Sequence, residues 1–321
     1  MPAKAATLVV NPAAGGLLDG VVTAEDIAAR LTAAGFAVEL LSGPPAEIRK
    51  RIERARDLPA DLVVVVGGDG TINAAAQVLA GTGKILGLIP RGTLNHLSKD
   101  LGIPQDLDGA VDALSTGIAR DIDIGDVNGH LFLCSSVIGF ASRLGGQRER
   151  WRGKLHPWRW LRLIVRTAQT LYRDPTLEVS FSGTERPTLR TRYLVVAVGL
   201  YAEAPGQLFA RSHLDSGEFG VYAVRRPTFG RLARIILAAL MGRWRQAPDL
   251  IASEAGTLSV TSSRPRLRVM NDGEAALLGI PLRYSLRARA LRVLAPKVGD
   301  VDLPTGLDRA TGADPTRLER A

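Results

Sequence analysis

The chain reads as an α/β domain followed by a mainly antiparallel β-sandwich domain. Three observations lead there. In the first third, short apolar strands alternate with amphipathic helices, as in a parallel sheet covered by helices. After about Arg120 the pattern changes to a succession of short strands. Several of these alternate apolar with polar residues, as a two-layer antiparallel structure requires. Finally, residues 62–66 are an apolar run of Leu and Val that stops abruptly at Gly67-Gly68-Asp69-Gly70-Thr71. Such a run is what a strand buried on both faces looks like.

Taken in order, residues 7–10 predict a strand, closed by Asn11-Pro12 and the loose Ala13-Ala14-Gly15-Gly16. Residues 23–34 predict an amphipathic helix with Ile27, Leu31 and Ala34 on one side, ended by Gly35. A strand at 37–41 and a charged helix at 46–56 come next. Then come the strand that ends at Gly67, a helix at 72–80, a strand at 85–89 and the break Pro90-Arg91-Gly92-Thr93. Ligands of such sheets sit at the carboxyl ends of strands. The breaks at Asn11, Gly67 and Pro90 all fall there and can converge on one cleft. Further strands are expected at 121–127, 130–137, 177–181, 191–199, 219–224, 256–261, 266–271, 282–286 and 291–294. Helical insertions are expected near 158–172 and 229–244. The domains predicted are 1–124 and 125–297, with the last strand free to return to the first domain. Residues 298–321 lack periodicity and read as a flexible tail.

The glycine turn after residue 66 favours a phosphate. Gly67, Gly68 and Gly70 let the backbone turn sharply and approach a ligand closely. The next helix offers free N–H groups and a positive dipole end. Asp69 then places a carboxylate where phosphate oxygens would lie, which is useful if it holds Mg²⁺ or accepts a proton. The dinucleotide fingerprint fails, because Asn73 stands where a third glycine is needed. The P-loop fails because Ile85 follows Gly83-Lys84. The bland alternative is a tight strand-to-helix turn with no ligand.

Composition narrows the classes. The 321 residues carry a net charge of +9 and a hydrophobic fraction of 46%, enough for more than one core. A basic chain suits a nucleotide, a nucleic acid or an anionic membrane. Aromatics are only 5% and form no stacking platform, which argues against nucleic acid. Cys134 is the single cysteine, so no intrachain disulfide forms, as in a reducing cytosol. It lies in an apolar run and reads as buried and structural. No apolar run approaches the roughly 20 residues of a membrane span, and residues 1–10 lack a signal-peptide layout. His96, His130, His156 and His213 have no zinc spacing.

Six motifs in order resemble the diacylglycerol kinase catalytic-domain family, which includes soluble bacterial lipid kinases and the sphingosine and ceramide kinases. They are Asn11-Pro12-Ala13-Ala14-Gly15-Gly16, then Gly67-Gly68-Asp69-Gly70-Thr71, then Pro90-Arg91-Gly92-Thr93-Leu94-Asn95 with Leu101-Gly102-Ile103-Pro104. Asp121-Ile122-Asp123-Ile124-Gly125, Leu214-Asp215-Ser216-Gly217-Glu218 and Asp272-Gly273-Glu274 complete the set. The resemblance implies a nucleotide-binding α/β domain, a β-sandwich domain and an active site in the cleft between them. It departs from many relatives at His96, where an acid is usual, and at Ser216, where a second acid is frequent.

The same resemblance implies an ATP- and Mg²⁺-dependent kinase acting on the hydroxyl of a lipid alcohol such as diacylglycerol. Gly67, Gly68, Gly70 and Thr71 would cradle the phosphates, with Asn11, Gly92, Thr93 and Asn95 adding contacts. Thr93 could instead merely cap the helix that contains Leu97. Asp69 and Asp123 are the Mg²⁺ candidates, partly through water, and Asp215 is a candidate for a structural Mg²⁺. For Asp123 the bland alternative is a solvated acid on a strand edge. Glu274 is the candidate general base and Asp69 its rival. An ordinary hairpin turn is the alternative at Asp272-Gly273.

The segment from Arg143 to Arg173 mixes many arginines with Trp151, Trp158 and Trp160. The insertion at 229–244 repeats the scheme with Arg231, Arg234, Arg243 and Trp244. Both suit docking on an anionic membrane, with the protein cytoplasmic and peripheral to the inner membrane surface; the alternative for each is a solvated basic face whose Trp and Leu belong to the core. A homodimer is left open. The alternatives are an NAD kinase-like enzyme, which shares the Gly-Gly-Asp-Gly turn, and an inactive nucleotide- or lipid-binding protein.

Overall fold

A computed structural model of the chain describes residues 3–15, 22–139, 174–181, 188–202, 210–211, 213–224, 228–244 and 247–297. It divides into two units. The first comprises Met1–Ile124 and a segment that begins at Ala288; the second runs over Gly125–Arg287. The basic segment at 143–173 and the tail after residue 297 lie outside the described residues.

In the first unit, β1 (Lys4–Val10), β2 (Phe36–Leu41), β3 (Leu62–Gly67) and β4 (Ile85–Pro90) pair in parallel in the order β2-β1-β3-β4. The helices between them are α1 (Ala24–Ala33), α2 (Ile48–Asp57) and α3 (Asp69–Leu79). After β4 come α4 (His96–Asp100), α5 (Leu107–Thr116) and β5 (Ile118–Val127). The physics of each is local. Thr23 caps α1, its hydroxyl accepting from the Asp26 N–H while the Asp26 carboxylate accepts from the Thr23 N–H, a reciprocal capping box. Gly35, at φ +94°, ends the helix. Val63, Val64, Val65 and Val66 have no exposed surface, and burial of each is worth about 1.5–3 kcal/mol.

The second unit is a two-layer sandwich. One sheet has the order β12-β11-β10-β7-β14-β15. Its strands are β7 (Ser135–Ile138), β10 (Leu194–Val198), β11 (Phe219–Val224), β12 (Leu250–Ala255), β14 (Arg266–Asn271) and β15 (Glu274–Gly279), all antiparallel to their neighbours. Facing it are β8 (Leu177–Phe181), β9 (Leu189–Thr191), β13 (Thr257–Ser262) and the first part of β16 (Leu282–Ala295). The hairpin of β5 with β6 (His130–Phe132) joins this side. Phe132, Phe219 and Tyr284 form the centre of the core, with ring centroids 5.9–6.4 Å apart. Helix α6 (Phe229–Leu240) lies between β11 and β12 in sequence.

Several expectations are corrected. The segment expected as one strand at 130–137 breaks at Leu133 and Cys134, between β6 and β7. The strands expected at 282–286 and 291–294 are one strand, β16. Its early residues pair with β13, and Arg292 and Val293 pair in parallel with β4. Arg289 at φ +50° marks a local irregularity within it, which reads in sequence as a break. Helix α3 begins at Asp69, three residues before the expected start, because Gly68 serves as its N-cap. Cys134 is half-buried rather than buried, and its sulfur accepts from Arg211 Nη2 at 3.4 Å. Trp244 is a core residue, not an interfacial one. Its indole N–H donates to the Ala202 carbonyl, and its ring packs edge-on against Tyr222 at 5.2 Å.

Candidate nucleotide site and the acidic hairpin

The three strand-end loops of the first unit do meet. Asn11 N–H donates to the Val66 carbonyl at 3.0 Å, and Arg91 N–H donates to the Gly67 carbonyl at 2.9 Å. The ends of β1, β3 and β4 are thereby tied together. Above them the Asn11 amide donates to the Thr71 hydroxyl at 2.8 Å, and Asn11 Oδ1 accepts from the Ala13 N–H at 3.1 Å. Thr71 is buried, so its hydroxyl is fixed at the start of α3.

The glycines act differently from the expectation. None of Gly67, Gly68, Gly70 and Gly92 has a positive φ. What the site requires is the absence of a side chain. A Cβ on Gly67 would fall 2.5 Å from Thr71 Cβ, and one on Gly92 would fall 2.7 Å from Gly68 Cα. The β3–α3 and β4–α4 loops are packed backbone to backbone through Gly68 and Gly92. No side chain caps α3, so no capping side chain occupies its first-turn N–H groups, as an anion site needs.

Asp69 is half-buried, and both carboxylate oxygens are engaged. Oδ2 accepts from the Asn95 N–H at 2.9 Å and Oδ1 from the His96 N–H at 2.7 Å. The His96 side chain takes no part in these bonds. Asn95 is buried and folds its side chain back over the loop. Its Oδ1 accepts from the Gly92 N–H at 2.9 Å, and its Nδ2 donates to the Gly92 carbonyl and to Gln105 Oε1, each at 3.0 Å. The residue at the N-cap of α4 is Asn95, in left-handed conformation, so Thr93 is not the cap. Thr93 is exposed on the same loop.

The remaining acids are placed apart in their own surroundings. Asp123 is only 2% exposed and accepts from the Arg289 N–H at 2.8 Å. This corrects the picture of a solvated acid on a strand edge. Asp215 is exposed in the loop before β11. Among the described residues no group of three or more His, Cys, Asp or Glu side chains could hold a metal ion. One hydrogen bond on each Asp69 oxygen leaves a lone pair on each, so Asp69 and the enclosed Asp123 offer at most one or two carboxylates to a cation and do not form a protein-held Mg²⁺ cage.

In the second unit, Asp272 (φ +48°) and Gly273 (φ +91°) form the tight turn between β14 and β15, with Asn271 opposite Glu274. The hairpin alternative is thus what the backbone shows. Two further features go with it. Glu274 is exposed, and among the described residues nothing pairs with its carboxylate. Asp272 points back instead. Its oxygens accept from the N–H groups of Leu133, Cys134 and Ser135 at 2.6, 2.8 and 2.8 Å. Burial pushes its carboxyl up from the usual range, while these N–H groups and Arg211 oppose the shift. Arg211 is buried and donates to the Leu133 and Val198 carbonyls. Sequence reasoning missed Gln105, Arg211 and the inward role of Asp272. Only Asp272 carried a signal, as a member of a motif.

Comparison with known proteins agrees with this architecture. Residues 5–127 match the diacylglycerol kinase catalytic domain family. A diacylglycerol kinase of Staphylococcus haemolyticus is 24% identical over 300 residues, covering 92% of this chain and 89% of its own length. One from Bacillus subtilis is 29% identical over 245 residues, covering 74% and 78%. A crystal structure of a diacylglycerol kinase from Bacillus anthracis superposes with a TM-score of 0.70 at 22% identity, covering 92% of this chain and 98% of that one, which shows a shared fold. Residues 5–127 thus carry the match to the diacylglycerol kinase catalytic domain, and the chain shares its fold with a bacterial diacylglycerol kinase.

Proposed function

We propose that this chain is an ATP-dependent kinase that transfers the terminal phosphoryl group to the hydroxyl of a lipid alcohol such as diacylglycerol. The observation that carries the reading is the joining of the Asn11, Gly67–Thr71 and Gly92–Asn95 loops around the N-terminus of α3, which no side chain caps. Phosphoryl transfer needs mainly positioning and charge stabilisation. The first-turn N–H groups of α3 and the Thr71 hydroxyl bind the phosphates. The glycine-to-glycine contact lets the triphosphate approach the backbone. ATP enters as its magnesium complex, and Mg²⁺ belongs to the substrate. Glu274, exposed and without a carboxylate partner among the described residues, is the candidate acceptor for the proton of the attacking hydroxyl.

Access to a lipid implies a peripheral membrane stance. Leu237, Leu240 and Met241 are exposed along and just beyond α6, and Arg243 is exposed beside them. Arg231 and Arg234 are already paired with Asp249, at 3.1 and 2.7 Å, so α6 contributes apolar contact more than charge. The basic residues between 143 and 173 supply the electrostatic part of the reading. Labelled-phosphate transfer from ATP to a panel of lipid alcohols, with NAD as a further acceptor, tests the proposal. Phosphate on a lipid is the expected product. Phosphate on NAD alone, or ATP binding with no product on any acceptor, would replace the reading.

A further inference from the structure

We infer that Asn271 orients the acceptor hydroxyl, its amide N–H donating to the oxygen whose proton Glu274 takes; this rests on the reading of Glu274 as that proton acceptor. The warrant is a polar row on an otherwise apolar sheet face. Leu267 and Val269 of β14, Ala276 and Leu278 of β15 and Ile138 of β7 pack in the sandwich core. Side chains alternate along a strand, so Asn271, Glu274 and Ser136 stand on that same face. Asn271 lies directly across from Glu274 on one side and from Ser136 on the other. Directly opposed Cβ atoms are about 4.5–5.5 Å apart, so one ligand oxygen can meet Asn271 and Glu274 together.

The far end of the row is already occupied. Ser136 and Tyr284 are buried, and their hydroxyls lie 3.0 Å apart. Asn271 is not so served. It is only 8% exposed, yet its Oδ1 is buried with no partner, and its side chain makes no hydrogen bond among the described residues. An unpaired buried amide is costly, and a β-branched residue would suit the strand without that cost. A hydroxyl that donates to Glu274 keeps lone pairs for the Asn271 N–H. In the transfer step the hydroxyl proton passes to the Glu274 carboxylate, the oxygen bonds the terminal phosphorus of ATP, and the bridging P–O bond to ADP breaks. Negative charge gathers on the attacking oxygen on the way, so the bond from Asn271 strengthens there. The row is also fixed beforehand. Asp272 N–H donates to the Ser135 carbonyl at 2.9 Å, and its carboxylate accepts from the N–H groups of residues 133–135. The hairpin tip is thereby tied to the start of β7, which sets the row before any ligand arrives.

The test is Asn271→Val in the full chain. The paired probes are dioctanoylglycerol and the dioctanoyl ester of propanediol, which lacks the free hydroxyl, both in detergent micelles. Calorimetry gives the preference for the alcohol over the deoxy compound and needs no turnover. The parent should prefer the alcohol, and Asn271→Val should lower that preference by about tenfold, the worth of one net hydrogen bond. In transfer assays kcat/KM for the lipid should fall by about ten- to a hundredfold, with KM for ATP unchanged. Tm without ligand should equal or exceed the parent's, since an unpaired amide is removed. A merely structural asparagine gives the opposite, a lower Tm with the parent's preference, which would overturn the inference. An unchanged preference at any Tm would do the same, as would a parent that binds both compounds alike. Should Asn271→Val overpack and not fold, Asn271→Ala is judged by the same preference. A parent that prefers the alcohol, loses the preference on substitution and transfers no phosphate would sink the proposed function while leaving the hydroxyl contact standing. Lipid phosphorylation with a preference untouched by the substitution would do the reverse.

Discussion

Gly92→Ala probes the contact on which the proposed nucleotide site depends. The new Cβ would lie 2.7 Å from Gly68 Cα and 2.6 Å from Asn95 Oδ1. Ordinary carbon contacts sit at about 3.5–4.0 Å, so the two loops must separate by roughly 0.8–1.3 Å. Gly68 cannot yield easily, because its Cα is backbone at the junction of a buried strand and a helix. Asn95 cannot swing aside without releasing the Gly92 N–H it accepts from. Backbone strain is not the issue, since Gly92 has no positive φ. Overpacking of this kind costs about 1–3 kcal/mol, and a misplacement of about 1 Å in a positioning element costs about a hundredfold in rate. The assay is kcat/KM for ATP alongside thermal unfolding. Gly256→Ala serves as control, because its Cβ would meet nothing within 4 Å. A Gly92→Ala protein with the parent's kcat/KM and Tm would refute the argument that close loop packing builds the site.

Glu274→Gln should lower kcat by about 10²–10⁴ while ATP binding and Tm stay unchanged, as measured by single-turnover transfer and calorimetry. Phe132→Ala should cost about 3–5 kcal/mol in denaturant unfolding, because Phe132 is fully buried at the centre of the sandwich core. Thr23→Ala should cost about 1 kcal/mol through loss of the α1 cap. The same box has a pH signature. The N–H and hydroxyl of Thr23 hold the Asp26 carboxyl below its ordinary 3.8. Its contribution is therefore complete above that value and is lost as pH falls through the lowered one. Acid unfolding of Thr23→Ala should show that loss reduced but not abolished, because the backbone N–H of residue 23 still donates to Asp26. Leu237→Asp with Leu240→Asp should weaken co-sedimentation with anionic vesicles and leave the transfer rate to a detergent-dispersed lipid intact. Unchanged vesicle binding would remove α6 from the membrane reading.

The parallel sheet was legible because its signals are local. A buried valine run, a helix period and a terminating glycine need no distant partner to be recognised. The strand-end loops could be foreseen to converge because a parallel sheet places all its carboxyl ends on one side. The bonds from Asp69 to Asn95 and His96 could not be foreseen, since they span 26 and 27 residues and involve backbone donors of any residue type. Helix α5 was not anticipated, its opening being marked only by Asp106, whose side chain accepts from the Gly109 N–H. Strand β15 was hidden because Glu274 reads as part of a turn, and an edge strand shows little alternation. Trp244 misled because arginines surround it in sequence, while in space its neighbours are Tyr222 and the Ala202 carbonyl.

Strand β16 has a consequence for biosynthesis. The partner that flanks β4 in the first unit is supplied by Arg292 and Val293, which leave the ribosome only after the whole sandwich has been translated. Until then a nascent chain holds β4 with that side unpaired, so the first unit is begun first and completed last. A chain ending just before residue 288 would lack this pairing.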